Sequence, residues 1–287
     1  MKFVNFKLDG KIKLGIKCKK GIIDVEQAAN DYLLEAPNTM EDVISSGEVG
    51  RLQLIELMKK DVEILREENI TYAPCILNPE KILCVGLNYI SHAKECNKDI
   101  PTSPVIFSKF NNALAAHNET ITLPKAAEKF DYEAELVIVI GKEAANISEE
   151  EAASYIFGYT IGNDLSARDL QFRSAQWLLG KTCDKFAPIG PYLVTADELD
   201  FSNLEISCRV NGELRQLSNT SDMIFNCAKI VSYISNYMTL KPGDIIFTGT
   251  PSGVILGYSE GSQQWLKSGD EVVVSIENIG RLSNVLK

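Results

Sequence analysis

The longest uninterrupted apolar run of consequence is Leu136-Val137-Ile138-Val139-Ile140, five aliphatic residues closed by Gly141. That pattern predicts a strand covered on both faces. Immediately before it, Asp131, Glu133 and Glu135 alternate with Tyr132 and Ala134, so the two-residue period of a strand sets three acids on one face. Further strands are predicted where short apolar runs meet glycine and proline, at 82–85, 104–109, 156–164, 245–248 and 272–276. Asn211-Gly212 between 204–210 and 213–217 is a strong hairpin signal. Residues 1–25 read as a meander of strands at 2–6, 14–17 and 22–25. Residues 26–67 read as largely helical, with a break near Ser45-Ser46-Gly47 and with Leu52, Ile55, Met58, Val62 and Leu65 at helical spacing. A linker is expected near Tyr72-Ala73-Pro74. Residues 222–238 predict an amphipathic helix, and Ser148 with Glu151 a capping box. The pattern is that of an α+β chain, mainly β, with a small N-terminal α+β domain over residues 1–72 and a strand-rich domain over 73–287.

Composition narrows the class. A net charge of -10 over 287 residues argues against nucleic acid or an anionic membrane as the main partner. Seven cysteines, odd in number and without a CxxC pair, suggest reduced thiols and a cytoplasmic protein. No signal-peptide h-region opens the sequence, and no apolar run approaches the roughly 18 residues of a membrane helix.

Candidate chemistry starts from the acids. Carboxylates at i and i+2 repel one another, and burial raises the cost of each ionised group. Glu133 and Glu135 therefore read either as ligands of a hard cation such as Mg2+ or as a solvated strand end. Asp164, at the end of another strand, could complete a ligand set or cap the helical turn that carries Arg168 and Gln171. His92 and Glu95, three residues apart on a short helix, form either a carboxylate-oriented base or an exposed polar pair. His117 sits in a polar stretch, 111–119, and is expected to be solvated. Gly180-Lys181-Thr182 is not a phosphate loop, because Ala175 stands where that motif needs glycine and Gln176-Trp177-Leu178-Leu179 is too bulky. Lys181 remains as a cation near the acids. Gly249-Thr250-Pro251-Ser252-Gly253 lacks the spacing of a serine elbow and reads as a turn for close backbone approach to a ligand.

These segments together resemble the fumarylacetoacetate hydrolase family: Val85–Tyr89 with His92-Ala93-Lys94-Glu95; Tyr132–Leu136; Asn163–Asp169; Gly180-Lys181; Val210–Glu213; and Leu240–Pro251. They follow the family's order over nearly all of 81–287. The resemblance implies a mixed β-roll or barrel core that pairs as a homodimer. It also implies Mg2+, Mn2+ or Ca2+ held by Glu133, Glu135 and Asp164, and a 2-oxo acid as substrate. In the same way His92 and Glu95 match the pair that activates water, and Lys181 a substrate-facing lysine. Arg168, Gln171, Gly249 and Thr250 are the expected substrate contacts. The leading expectation is metal-dependent hydrolysis of a C–C bond in an acylpyruvate-type diketo acid. Decarboxylation or isomerisation of a related 2-oxo acid, such as oxaloacetate, is the alternative on the same site. A non-catalytic metal- or metabolite-binding protein is a third reading.

Overall fold

The computed structural model describes all 287 residues and holds two main sheets and two short two-stranded ones. The larger has ten strands. Its spatial order is Gly21–Asp24, Lys11–Cys18, Lys2–Leu8, Leu193–Thr195, Ile156–Asn163, Ala134–Ile140, Ile245–Phe247, Ile82–Gly86 and Val105–Lys109, with Thr71–Ala73 also paired to Lys2–Leu8. The apolar run recognised in the sequence is its centre: Ala134–Ile140 is buried at every position, between antiparallel neighbours on both sides. A second, four-stranded sheet contains the hairpin of Glu205–Val210 and Glu213–Asn219, then Glu271–Ile276 and Gly280–Val285. Asn211 and Gly212 both have positive φ, 51° and 81°, as a tight two-residue hairpin turn requires. Both sheets are open, so of the two core shapes expected the closed barrel is not formed. Apolar side chains from both faces of the central strands fill two large clusters. No helix is long and apolar enough to cross a membrane.

Elsewhere the tertiary structure overrides local pattern. The helix Gly47–Met58 stops before Val62 and Leu65, and Leu65 instead bridges to Ile22. Its buried face is Gly50, Leu54 and Leu57, while Leu52 and Met58 are exposed, so the stripe read from spacing is not the one that packs. Tyr72 and Ala73 are not linker but part of the strand Thr71–Ala73. Asn5 ties that strand's exit down by donating to the carbonyls of Pro74 and Cys75. The helix expected over 222–238 is confined to Cys227–Ser235. Asn226 caps it, and Asn88 takes the backbone N–H groups of Ile224 and Phe225 that would have extended it. The capping box at Ser148 and Glu151 is formed.

The stretch around His117 is not a solvated loop. Ala113, Ala115 and Ala116 are buried, and Leu114–Ala115 pairs in parallel with Ala187–Pro188. His117 Nδ1 accepts from the Ser283 amide at 3.0 Å, and its ring lies edge-on to Tyr72 with centroids 4.8 Å apart. Burial draws its pKa down from 6.5 to about 4. The folded chain therefore keeps this imidazole neutral to about pH 4, whereas the unfolded chain protonates it near 6.5, so falling pH through that window favours unfolding. Urea unfolding at pH 7 and pH 4.5 should show His117→Asn, which keeps an acceptor for Ser283, losing about 1–2 kcal/mol less stability on acidification than the unaltered chain. Equal losses would remove His117 from the acid response.

Candidate active site

The site forms where the central strand begins. Glu135 lies in the strand Ala134–Ile140, Glu133 just before it, and Asp164 just after the neighbouring strand Ile156–Asn163. Antiparallel pairing sets Asn163 opposite Ala134, and the Asp164 amide donates to the Glu133 carbonyl at 2.9 Å. Asn163 also accepts from the Glu133 amide through its side chain, at 3.0 Å. One carboxylate oxygen from each of Glu133, Glu135 and Asp164 lies within 4.8 Å of the others, and all three residues are buried.

Cations occupy one side of this cluster. Lys181 Nζ donates to Glu133 Oε2 and, at 2.8 Å, to Asp164 Oδ2. Lys109 Nζ stands 2.5 Å from Asp164 Oδ1, although its hydrogen bonds go to the carbonyls of Leu165 and Phe186. Arg168 donates to Asp131 from Nε, to Glu133 Oε1 from Nη2 at 2.8 Å, and to Gln171 from Nη1. Glycine at 180 makes this approach feasible. A Cβ there would meet Gln171 N at 2.4 Å and Ala167 O at 2.5 Å, so a larger residue would push the turn Leu178–Lys181 off Arg168–Gln171 and withdraw Lys181.

The charges do not balance evenly. Burial opposes ionisation of Glu133, but Arg168 and Lys181 outweigh it and hold its carboxyl below the usual range. Glu135 has no cation of its own. Burial first, then the charges of Asp164 and Glu133, push its carboxyl well above the usual range; its Oε2 accepts only the Gly249 amide, at 2.6 Å. Asp164 Oδ1 is buried with no hydrogen bond that satisfies it. The Lys109 ammonium faces Asp164 Oδ1, which leaves Glu135 as the carboxylate without a cation; an all-oxygen cluster with that deficit fits a hard divalent cation.

Across the cavity stands the helix Ile90–Glu95. His92 is buried, and its Nδ1 lies 2.8 Å from Glu95 Oε1. Glu95 also accepts from the Gly253 amide at 2.9 Å, which fixes the pair against the glycine-rich turn. Burial favours the neutral imidazole. Hydrogen bonding to Cys96 and to the Glu95 carboxylate prevails, and the pKa of His92 rises to about 9. The cavity between helix and acids has a volume of about 90 Å³. It is lined on the apolar side by Leu87, Phe107 and Trp177, the last two packed edge-to-face at 5.3 Å.

Nine of the ten residues singled out from sequence thus meet around one cavity: His92, Glu133, Glu135, Asp164, Arg168, Gln171, Lys181 and Thr250 line it, and Glu95 braces His92 from behind. Gly249 is the exception. Its amide, expected to hold a substrate carboxylate, is already bonded to Glu135, and its φ of 98° serves a close approach to Asn88 and Val85 rather than to a ligand. Arg168 differs in kind from expectation, since Asp131, Glu133 and Gln171 engage its Nε and both terminal nitrogens. Sequence reasoning missed Lys109, Asp131 and Gln216. Asp131 turns away from Glu135 to take Arg168 and the amides of Ile255 and Leu256. Gln216 joins the Ala134 amide to Thr250 Oγ1. Their pairings carried no local signal, because the partners named are 34 to 125 residues away in the chain.

The family model for the C-terminal domain of fumarylacetoacetate hydrolase matches residues 81–287. The chain belongs to the fumarylacetoacetate hydrolase family. A mitochondrial oxaloacetate tautomerase of Xenopus laevis is 41% identical, covering 95% of this chain and 85% of the relative. Among solved structures, a fumarylacetoacetate hydrolase from psychrophilic Exiguobacterium antarcticum superposes with a TM-score of 0.84 and 32% identity, covering 100% of this chain and 99% of the other. The fumarylpyruvate hydrolase of Pseudomonas aeruginosa, solved with Mn2+ and pyruvate, gives 0.67 and 34% over 73% of this chain and 90% of its own. The chain is an enzyme of the fumarylacetoacetate hydrolase family, with an acidic cluster able to take a divalent cation. If that cluster is the ion's seat, Glu135→Ala should weaken Mg2+ or Mn2+ binding by at least about 100-fold in titration calorimetry, and undiminished affinity would exclude Glu135 as a ligand.

Proposed function

We propose that this enzyme interconverts the keto and enol forms of an oxaloacetate-type 2-oxo dicarboxylic acid. The observation that carries the reading is one cavity in which the His92–Glu95 pair faces the Glu133, Glu135, Asp164 cluster and Lys181. Kinship with an oxaloacetate tautomerase, 41% identical over 95% of the chain, supports this reaction; the hydrolase structures that match are 32% and 34% identical. Hydrolysis asks His92 to strip a proton from water. Glu95, hydrogen-bonded to Nδ1, favours the charged imidazole, which suits delivery of a proton to an enol carbon better than removal of one from water.

Glu133, Glu135 and Asp164 would hold a divalent cation, which when bound supplies Lewis acidity to the 2-oxo and carboxylate oxygens of the substrate. The remaining work falls to the chain's own groups. Lys181, fully buried and kept protonated by Asp164 and Glu133 against the pull of burial, stabilises negative charge on the substrate's C2 oxygen. His92 gives its proton to C3 as the enol O–H proton departs, and recovers one from solvent; the net change is an isomerisation. Glu95 keeps the ring oriented and favours its charged form. Phe107, Trp177 and Leu87 restrict water around the reacting carbon.

The test follows the decay of enol-oxaloacetate absorbance with Mg2+ present, alongside cleavage of acetylpyruvate. The enol signal should decay faster with enzyme, and His92→Ala should slow it about 100-fold or more while leaving cation affinity unchanged. Because the charged imidazole is the donor and its pKa is raised, enol-to-keto turnover should be level below about pH 8 and fall as pH rises through about 9. Pyruvate and acetate released from acetylpyruvate, with no effect on the keto–enol rate, would replace this reading with hydrolysis.

A further inference from the structure

The short helix that carries the proton pair brings a third ligand to the same face. His92, Glu95 and Cys96 stand at i, i+3 and i+4, the spacing that stacks side chains on one side of a helix. Cys96 Sγ lies 3.9 Å from His92 Nδ1, which is itself 2.8 Å from Glu95 Oε1. One ligand atom from each falls within 4.8 Å of the others. A tetrahedral zinc site with Zn–S of about 2.3 Å and Zn–N of about 2.0–2.1 Å has ligand atoms separated by about 3.3–3.8 Å, so small side-chain rotations suffice. Glu95 is already anchored by the Gly253 amide, and the cavity that His92 and Cys96 line leaves the fourth position open to water or a carboxylate.

We propose that His92, Glu95 and Cys96 form a second cation site, selective for a borderline-soft divalent ion such as Zn2+, whose occupation shuts the neighbouring proton pair. Donor chemistry separates this site from the acidic cluster: a sulfur, nitrogen and oxygen set prefers zinc, whereas the three carboxylates of Glu133, Glu135 and Asp164 suit a hard ion. The other cysteines have no such company. Neither Cys18 nor Cys183 joins a group of potential ligands, and Cys75, Cys84, Cys208 and Cys227 are buried. Binding forms metal–sulfur, metal–nitrogen and metal–oxygen bonds and releases the thiol proton and the Nδ1 proton to solvent, with no change in oxidation state. It also breaks the His92–Glu95 hydrogen bond. The inhibition, though not the binding, rests on the proton role proposed for His92.

The experiment uses the full chain saturated with Mg2+, titrated with Zn2+ and, as a spectroscopic probe, with Co2+. One equivalent should bind at micromolar Kd or tighter, Co2+ should develop a thiolate-to-metal charge-transfer band, and enol turnover should fall in step with occupancy. Cys96→Ser, its folding checked by an unchanged thermal midpoint, should lose the band and bind Zn2+ about tenfold or more weakly. Glu135→Gln, which disables the hard-ion cluster, should keep both band and affinity. Absence of the band, equal Zn2+ affinity in Cys96→Ser, or displacement of Zn2+ by Mg2+ would each overturn the site. Zinc bound through Cys96 with turnover undiminished would overturn the shutting of the pair and count against the proton role of His92, while the site itself would stand.

Discussion

The site depends on an imbalance of buried charge. Asp131, Glu133, Glu135 and Asp164 are all buried around one strand end, and Lys109, Lys181 and Arg168 are buried with them. Four carboxyl groups against three cations leaves one without a cation partner, Glu135, whose carboxyl is pushed well above the usual range. Burying an unpaired carboxylate costs several kcal/mol. A divalent ion held by Glu133, Glu135 and Asp164 would relieve that cost. With that ion added, the formal charge of the cluster becomes positive, which suits an anionic substrate.

The same imbalance explains how far the supporting residues lie from the chemistry. Arg168 is not free to greet a substrate, because its donors hold Asp131, Glu133 and Gln171 in place. Lys109 steadies Asp164 and two carbonyls behind it. Gly180 lets two helical turns touch so that Lys181 can enter. Each of these positions an acid or a cation, and each is a place where a substitution would disturb the site through its geometry.

His92 and Glu95 form the opposing wall, joined to the rest through Gly253 and, behind the turn, through Asn88, which bonds Thr248 and Phe225. The His92–Glu95 pair and the acidic cluster therefore sit on separate chain segments braced to common loops. That separation is what lets one cavity hold a hard-ion cluster on one side and a mixed sulfur, nitrogen and oxygen group on the other. It is also why family kinship alone does not select between cleavage and tautomerisation, since both would call on the same two walls.

By itself the sequence determined what local rules govern: the central buried strand, the hairpin at Asn211-Gly212, the capping box at Ser148, and the acids and histidine that would do chemistry. Period-two alternation and short helical spacing are properties of neighbouring residues, so Glu133 with Glu135 and His92 with Glu95 were legible at once. Only the tertiary structure decided the partners of those groups. The exit of Leu65 from its expected helix, the use of Tyr72 and Ala73 as a strand, the half-burial of His117 and the capture of the Gly249 amide by Glu135 all follow from contacts between distant segments. Local propensity is worth tenths of a kcal/mol per residue, whereas satisfying a buried backbone group or charge is worth several times more. Long-range pairing therefore prevailed wherever the two conflicted.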